Sequence, residues 1–417
     1  MTRTCNIDCL IIGGGQAGLA MSYCLSQAGI DHVVIERGRI GERWRSERWP
    51  SLRLLTPGWM TRMPGRSLAS RSDGFLSASD LVTRLETYAK ASTVPLVTGT
   101  SVLAVERIVG LFRVATTTGT WLARSVVIAT GACDRASVPA SGAKLGRSIF
   151  QLTPDRYITP DELPQGGVLV VGASATGVQL AREIARSGRR VVLSAGSHVR
   201  TPRNYRGRDL FDWLDASGFL HDPRPLGRSA RSLASQPSLQ LVGDGSGRDI
   251  DLYRLSAEGV TVTGRAIAAH DTTVGFADTL ADECAAAERR RYTLLARIDA
   301  HIAATRTNAP VEPQAWNTPA PLPQTPEAMN LRAHGIASVL WATGFRRNYP
   351  WLHVPVLSRA GEIVHHGGVT RVPGVYALGL PFMRHRASTF IDGVGRDAEA
   401  LAPHVARHLG ATLPVAA

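Results

Sequence analysis

The sequence of 417 residues predicts an α/β protein built from two parallel-sheet units, one of them inserted into the other. Two observations lead to this prediction. A strand, a glycine turn and a helix follow one another at residues 10–21 and again at residues 168–180. A strand ending in Ala-Thr-Gly also occurs twice, at residues 121–131 and 335–344. Because both glycine turns have the form that binds a pyrophosphate, both units are predicted to be Rossmann-like dinucleotide-binding domains.

The first unit opens with the apolar run CNIDCLII, which is typical of a strand buried in a parallel sheet. Three glycines follow in G-x-G-x-x-G spacing. The first permits the tight turn, the second lets a pyrophosphate approach the backbone, and the third allows the helix to pack closely on the strand. The turn residues that we expect to contact the nucleotide are Gly13, Gly15, Gln16, Ala17 and Gly18.

The second strand of this unit, HVVIE, ends in Glu36, about 20 residues after the turn. An acid at this place accepts hydrogen bonds from the ribose hydroxyls of an adenosine. An ordinary strand–helix turn can also contain glycines, but here strand, helix, second strand and acid occur in order. Glu36 and the adjacent Arg37 therefore predict a nucleotide whose ribose hydroxyls are free.

The second unit repeats this order with strand GGVLVVG, a glycine turn, helix GVQLAREIARSG and strand RRVVLS. The position equivalent to Glu36 holds Ala195, so the ribose-binding acid is missing. Arginines follow, and arginine pairs with phosphate through two parallel hydrogen bonds. We therefore expect this unit to prefer NADPH, whose ribose carries a 2′-phosphate. The expected contacts are Gly172, Ser174, Ala175, Thr176, Gly177, Ser194, Arg200 and Arg203.

The two Ala-Thr-Gly stretches are interpreted as connections between the units, and Thr130, Gly131 and Gly344 are expected on the cofactor side of the sheets. The Pro-rich stretches YITPDELPQGG and TPAPLPQTPEA mark the predicted crossings of the chain. The first domain is thus predicted at residues 1–164 and 325–417, and the second at 165–324. Residues 210–310 predict a loop, a helix and short strands, followed by a long amphipathic helix.

Composition argues against several classes of protein. All but two of the 47 basic residues are arginines spread along the chain, so the net charge of +13 does not form the local patch of a nucleic-acid-binding protein. Apolar runs are far shorter than the roughly 18 residues of a membrane helix, and no signal peptide is recognised. The five cysteines form no C-x-x-C and no metal-ligand spacing. We expect a cytoplasmic protein without metal, nucleic acid or membrane partners, and a homodimer is left open.

Six stretches of the chain resemble the flavin-containing monooxygenase-like group of class B flavoprotein monooxygenases. They are GGGQAGL with Glu36, GERWRSERWPSLRLLTPGWMTRMPG, IATG, GASATG, WATGF and GVYALGLPF…STFIDGVGRDA, and they span nearly the whole length. The resemblance implies FAD in the first unit, NADPH in the second and O2 as co-substrate. It also implies a flavin C4a-hydroperoxide that transfers one oxygen atom to a small organic molecule.

The resemblance further implies which residues line the flavin. The segment GERWRSERWPSLRLLTPGW runs beside the isoalloxazine in this family. Trp44, Arg45, Thr56 and Pro57 are therefore flavin-lining candidates, with Trp49 as a further cofactor contact. The alternative is that both tryptophans simply anchor a long loop by burial.

The C-terminal segment supplies the remaining candidates. Gly379 ends a strand and a helix begins near Asp392, where the helix dipole would favour negative charge on the flavin. Many related flavoproteins carry an acid directly after this glycine, so Asp392 is either its substitute or a helix N-cap. His385 is either a proton carrier or a surface histidine. Val102 completes the expected cofactor contacts, and no catalytic residue is assigned because the flavin supplies the oxygenating power.

The chain departs from the Baeyer–Villiger fingerprint F-x-G-x-x-x-H-x-x-x-W/P. The stretch FQLTPDRYITP stands in its place and contains no histidine. This departure favours oxygenation of nitrogen or sulfur, while ketone oxygenation and carbon hydroxylation stay alternatives. A disulfide reductase shares the two-domain plan but needs a redox-active cysteine pair. An FAD oxidase, a reductase without oxygen insertion or a non-catalytic nucleotide sensor is the remaining alternative.

Overall fold

This computed structural model describes residues 4–66, 71–225, 236–324 and 326–411, and it confirms the α/β architecture. The helices are α1 (Gln16–Gln27), α2 (Glu42–Ser46), α3 (Ala78–Ala91), α4 (Ala175–Arg186), α5 (Leu210–Ala216), α6 (Leu252–Ala257), α7 (Leu280–Thr305) and α8 (Ile391–Leu409). The strands are β1 (Thr4–Ile12), β2 (His32–Ile35), β3 (Leu96–Val97), β4 (Val102–Ile108), β5 (Leu111–Thr116), β6 (Gly119–Ile128), β7 (Arg135–Ala136), β8 (Phe150–Leu152), β9 (Gly167–Val171), β10 (Val191–Ser194), β11 (Val199–Arg200), β12 (Asn204–Tyr205), β13 (Arg208–Asp209), β14 (Leu239–Gln240), β15 (Thr261–Thr263), β16 (Ala266–His270), β17 (Thr273–Phe276), β18 (Ala328–Asn330), β19 (Ile336–Trp341), β20 (Phe345–Arg346), β21 (His365–His366), β22 (Val369–Thr370) and β23 (Val375–Ala377).

The first unit is a sheet in the order β21-β22-β23-β6-β1-β2-β3, with the hairpin β4–β5 attached to β6. Strands β23, β6, β1, β2 and β3 are parallel, and α1 and α8 pack against each other. The register sets Ile12 opposite both Ile35 and Ile128. The residues that follow these three strands therefore emerge side by side at the carboxyl edge of the sheet, where ligands bind in such folds.

The second unit is a five-stranded parallel sheet in the order β15-β10-β9-β19-β8. Side chains of β9 alternate between its two faces because a strand has a period of two residues. Val168 and Val170 enter the core that α4 and α6 cover, whereas Leu169 and Val171 enter the core on the other face. The small antiparallel sheet β16–β17–β18 covers that second face.

Both connections between the units lie in one short antiparallel ribbon, in which β7 pairs with β20. Each strand of the ribbon follows one of the two Ala-Thr-Gly stretches within a few residues. We therefore keep the proposal that these stretches connect the two units.

The boundaries expected at 164/165 and 324/325 both fall inside the second unit. Strand β8 precedes the first boundary and β19 follows the second, yet both belong to the five-stranded sheet. The Pro-rich stretches therefore connect elements within this unit and are not the crossings. Strand β8 is too short to show a hydrophobic period, and β19 is followed by the same Ala-Thr-Gly as β6. Sequence spacing alone therefore assigns both strands to the wrong unit. We propose domain boundaries at the β7–β20 ribbon.

The segment at residues 210–310 contains α5 to α7 and β14 to β17. Its long amphipathic helix is confirmed as α7, which has 26 residues and buries one face. In the described ranges, no helix combines the length and the apolar composition that crossing a membrane requires.

Candidate functional site

The first glycine turn has the steric demands of a nucleotide-binding turn. Gly13 has a φ of +114°, and a Cβ there would lie 2.6 Å from the carbonyl oxygen of Ala129. A Cβ on Gly18 would overlap the carbonyl oxygen of Gly13. A Cβ on Gly15 would meet nothing within 4 Å. Gly13 and Gly18 are therefore required by the packing of the protein itself, whereas the face at Gly15 is open to a ligand.

Polar groups surround this open face. Gly15 is the N-cap of α1 and offers no side-chain hydrogen bond to the first turn, so the N–H groups of that turn remain for an anion. The N–H groups of Gly14 (2.6 Å) and Gly38 (2.9 Å) donate to the carboxylate of Glu36 and hold it at the end of β2. A carboxylate accepts about four hydrogen bonds, so acceptor positions remain for ribose hydroxyls.

Further predicted residues follow the neighbouring strands of this sheet. Thr130 and Gly131 follow β6, and a Cβ on Gly131 would meet nothing within 4 Å. Gly379 follows β23 with a φ of +77°, and a Cβ there would lie 2.9 Å from the Cβ of Ala17 in α1. Gly379 therefore lets α1 approach β23, while Gly131 leaves a second open face beside the first.

Arg37 and Val102 lie near Glu36, at the end of the site that is predicted to bind the adenosine. The side chain of Arg37 is 55% exposed, directly after Glu36. The N–H of Thr100 donates to the carbonyl of Glu36 at 2.9 Å, and Val102 begins β4 two residues later. Glu36, Arg37 and Val102 are thus brought to one end of the carboxyl edge.

The second glycine turn repeats the geometry of the first. Gly172 has a φ of +107°, and a Cβ there would overlap the carbonyl oxygen of Ala342. A Cβ on Gly177 would overlap the carbonyl oxygen of Gly172. Ser174 is the N-cap of α4 and makes no side-chain capping hydrogen bond. A Cβ on Gly344 would meet nothing within 4 Å, so this turn too has an open neighbour.

The strand register places Ala195 where the first unit has Glu36. Ser194 lies opposite Val171, the residue before the second turn, as the last residue of β2 lies opposite the last residue of β1. Ala195 is fully buried and carries no charge. The predicted absence of a ribose-binding acid is therefore confirmed in three dimensions.

The prediction that Ser194 contacts the nucleotide is wrong. Its hydroxyl donates to the carbonyl of Gly264 at 2.9 Å and accepts from the N–H of Ala266 at 2.8 Å. Only 1% of the residue is exposed. Ser194 instead joins β10 to the chain between β15 and β16.

The prediction that Arg200 and Arg203 bind a 2′-phosphate is also wrong. Arg200 pairs with Asp251 at 2.6 Å and with Glu288 at 2.8 Å. Arg203 pairs with Asp209, and only 2% of its side chain is exposed. Buried charges need partners of this kind, and these guanidinium groups are taken up by them. Most of these acids come from distant positions, which a run of arginines in the sequence does not reveal.

Two exposed arginines that sequence reasoning missed lie at the end of β10. Arg265 is 53% exposed and pairs with Glu283 at 3.0 Å, and a Cβ on Gly196 would lie 2.7 Å from its guanidinium carbon. Arg290, on α7, donates to the carbonyl of His198 at 2.9 Å. Both approach β10 from far along the chain, so no local spacing could indicate them.

Trp44, Trp49 and Arg45, the three cofactor candidates in the segment at residues 41–49, have different surroundings. Trp44 is half-buried and packs against the cores of both units, with the guanidinium of Arg48 at 5.4 Å from its ring centre. Trp49 is 4% exposed and lies inside the core of the second unit. Arg45 pairs with Glu86 on α3. Trp44 stays a flavin-lining candidate, whereas Trp49 is a loop anchor and Arg45 is held by an ion pair.

Thr56 and Pro57 lie in a loop, here called the 54–58 loop, that pairs with residues 72–76. The N–H of residue 54 donates to the carbonyl of residue 76 at 2.8 Å, and that of residue 58 to the carbonyl of residue 74 at 2.7 Å. Thr56 is half-buried and Pro57 is buried. The backbone of this loop is thus fixed from one side by the first unit.

The predicted N-cap role of Asp392 is wrong. Helix α8 begins at Ile391 with Phe390 as its N-cap. The carboxylate of Asp392 pairs with Arg62 at 2.5 Å, shortly after the 54–58 loop. Asp392 therefore ties the first turn of α8 to that segment, and it is not free to replace a ribityl-binding acid.

His385 is partly buried and is not a fully exposed surface histidine. Its side chain is 12% exposed, and its Nε2 lies 3.5 Å from a carboxylate oxygen of the fully buried Asp397. Burial is the main cause that lowers the pKa of His385 and raises the pKa of Asp397 to about 6. The two groups lie side by side at α8, and the proton-carrier role of His385 stays a prediction.

Three of the five cysteines, Cys9, Cys24 and Cys284, are buried. All five are free thiols. Burial raises the pKa of both Cys9 and Cys24 to about 12, and it also raises the pKa of Cys284. Attack on a disulfide requires a thiolate, which these three groups do not supply near neutral pH.

Comparisons with known proteins agree with this geometry. A family model described as pyridine nucleotide-disulphide oxidoreductase matches residues 10–209. A CzcO-like oxidoreductase of Geobacillus kaustophilus is 30% identical over 406 residues, which cover 96% of this chain and 99% of the relative.

Two solved structures share the fold over nearly the whole chain. A flavin-containing monooxygenase from Stenotrophomonas maltophilia has a TM-score of 0.66 at 20% identity and covers 97% of this chain and 99% of that one. OTEMO in complex with FAD and NADP has a TM-score of 0.54 at 16% identity and covers 97% and 85%. Both likenesses support a fold with two dinucleotide-binding domains on one chain.

Proposed function

This chain belongs to the CzcO-like oxidoreductases, and we propose that it is a flavin-containing monooxygenase-like enzyme that oxygenates nitrogen or sulfur in a small organic molecule. It is an oxidoreductase with FAD and NADPH as cofactors, and O2 is the proposed co-substrate. The observation that carries the proposal is the pair of glycine turns with open faces, one beside a ribose-binding acid and one without it.

The two turns fit the two cofactors differently. At the first, the open face at Gly15 and the free N–H groups of α1 fit a pyrophosphate, and Glu36 fits the adenosine ribose of FAD. At the second turn, Ser174 leaves the N–H groups of α4 free, and Ala195 carries no negative charge that would repel a 2′-phosphate. When bound, FAD accepts two electrons from NADPH and delivers them to O2.

The residues of the chain contribute positioning and the exclusion of water. Trp44 closes the junction between the two cores, and the 54–58 loop is fixed by backbone hydrogen bonds. The N-terminus of α8 carries partial positive charge, which favours negative charge that develops near it. A site closed in this way keeps water from competing with the organic substrate.

The competing reactions lack supporting residues. The stretch at residues 150–160 contains no histidine, whereas the fingerprint of the Baeyer–Villiger enzymes requires one, and this difference disfavours ketone oxygenation. All five cysteines are unpaired and three of them are buried, which disfavours disulfide reduction by a cysteine pair. Carbon hydroxylation and a plain oxidase reaction are distinguished from the proposal by experiment.

The test of the proposed function is turnover of NADPH in air with a panel of amines, sulfides and ketones. We expect an amine or a sulfide to accelerate NADPH oxidation and to gain one atom of ¹⁸O from ¹⁸O2, measured by mass spectrometry. Stoichiometric hydrogen peroxide with every compound would identify an oxidase, and thiol release from disulfides would identify a reductase. Either result would contradict the proposal.

We also predict that Arg265 and Arg290, and not Arg200, determine the preference for NADPH over NADH. A charge-assisted hydrogen bond contributes about 1.5–3 kcal/mol. Changing both Arg265 and Arg290 to alanine should therefore lower the NADPH-to-NADH ratio of kcat/KM roughly ten- to hundred-fold. The control is Arg289→Ala, an exposed neighbour on α7 whose loss should leave the ratio unchanged. An unchanged ratio in the double variant would refute this assignment.

A further inference from the structure

Arg203 belongs to the second unit but contacts the 54–58 loop of the first. Its Nη1 donates to the carbonyl oxygen of Leu55 at 2.8 Å. Its Nη2 pairs with Asp209, and its backbone N–H donates to the carboxylate of Asp249 at 2.7 Å. Arg203 is thus held at two points by its own unit while its third contact reaches the loop.

The packing around this guanidinium leaves the loop little freedom. The guanidinium carbon lies 4.7 Å from the ring centre of Phe75 and 5.5 Å from that of Phe211, which come from the first and second unit. A Cβ on Gly243 would overlap the carbonyl oxygen of Leu54 and lie 2.9 Å from the side chain of Phe75. The second unit therefore encloses the outer side of the 54–58 loop.

Stability alone does not account for this arrangement. The Nε of Arg203 is buried and has no hydrogen-bond partner within the described residues. An unsatisfied buried donor is destabilising, and a buried ion pair is often no more stabilising than apolar residues of similar volume. The hydrogen bond to the Leu55 carbonyl, which positions the 54–58 loop, therefore accounts for Arg203 better than stability does.

The strand before Arg203 also connects to the second glycine turn. Strand β11 pairs with β14, with Arg200 opposite Gln240. The side-chain amide of Gln240 donates to the carbonyl of Ala173, inside that turn, at 2.7 Å. One pair of strands therefore contacts the nucleotide-binding turn and leads, three residues later, to the arginine that holds the loop.

We propose that Arg203 is a positioning residue, which fixes the 54–58 loop against the flavin from the NADPH-binding unit and links occupancy of the second turn to the flavin environment. The inference rests on the proposed function, because the 54–58 loop can line the flavin only in a chain that binds FAD. Arg203 acts through the carbonyl of Leu55 and touches neither cofactor.

The experiment compares Arg203→Gln with Arg200→Gln in the FAD-loaded full chain. Both changes remove one member of a buried ion pair in the same unit, and both should lower the melting temperature. Only Arg203→Gln should shift the visible absorption of bound FAD, raise its dissociation constant about tenfold and reduce the spectral change on adding NADP⁺ at least about twofold. Arg203→Lys, which keeps one donor for the Leu55 carbonyl, should restore part of each effect.

Flavin spectra and FAD affinities that are the same in Arg203→Gln and Arg200→Gln would overturn the inference. If Arg203→Gln does not fold, Gly243→Ala provides the same test, because its Cβ displaces the loop from the same unit. An unchanged flavin spectrum in that variant would also overturn it. Wild-type protein that binds no FAD would instead overturn the proposed function, so the two failures are distinguishable.

Discussion

Gly15→Val should yield a folded protein that no longer holds FAD. Gly15 has an ordinary extended backbone with a φ of −88°, and a Cβ there would meet nothing within 4 Å, so the fold tolerates a side chain. That side chain would fill the space through which the pyrophosphate approaches the turn. We expect the dissociation constant of FAD to rise at least about a hundredfold, or about 2.7 kcal/mol. Absorbance near the flavin band after purification and a fluorescence titration measure it.

Two glycine variants serve as controls for this result. A Cβ on Gly275, in β17, would make an ordinary contact at 3.5 Å with Ala268, so Gly275→Ala should keep both its FAD and its stability. Gly18→Ala should lose FAD together with stability, because its Cβ overlaps a backbone carbonyl. A Gly15→Val protein with full flavin occupancy would show that FAD does not bind at this turn.

Ser174→Leu should give a yellow protein that NADPH no longer reduces. Ser174 occupies the place of Gly15 in the second turn, has an extended backbone and makes no capping hydrogen bond, so replacing it removes no bond from α4. The larger side chain would cover the N–H groups of α4 that the pyrophosphate of NADPH needs. Under anaerobic conditions the rate of flavin reduction at a fixed NADPH concentration should fall about a hundredfold or more.

The control for this variant lies at the other end of the same helix. Ser187 is an exposed residue that follows α4, and Ser187→Leu should be reduced by NADPH at the wild-type rate. Dithionite should reduce the flavin of all three proteins equally, because it needs no nucleotide site. Reduction of Ser174→Leu by NADPH at the wild-type rate would mean that the nucleotide binds elsewhere.

The two nucleotide-binding folds were predictable from local sequence. Strands β1 and β9 appear as apolar runs, and α1 and α4 follow from the glycine turns that precede them. Gly13 and Gly18 contact each other within the same turn, so their spacing in the sequence is enough to predict that Gly18 cannot carry a side chain. The loss of the acid at Ala195 was predictable for a related reason. The helix after the glycine turn and the strand that follows it have the same lengths in the two units, so equivalent residues lie at the same number of residues from the glycines. The strand register places Ala195 and Glu36 at equivalent positions.

The roles of the charged side chains were decided by tertiary structure. Arg200 and Arg203 follow Ala195 closely in sequence, yet Arg200 pairs with acids 51 and 88 residues away, and Arg203 reaches a carbonyl 148 residues away. Asp392 pairs with an arginine 330 residues away. The boundary of the inserted unit likewise depends on β8 meeting β19 across the chain. The role of a charged side chain depends on the group that lies within about 4 Å of it, and the role of a short edge strand depends on the strand beside it. Spacing along the chain does not encode either neighbour.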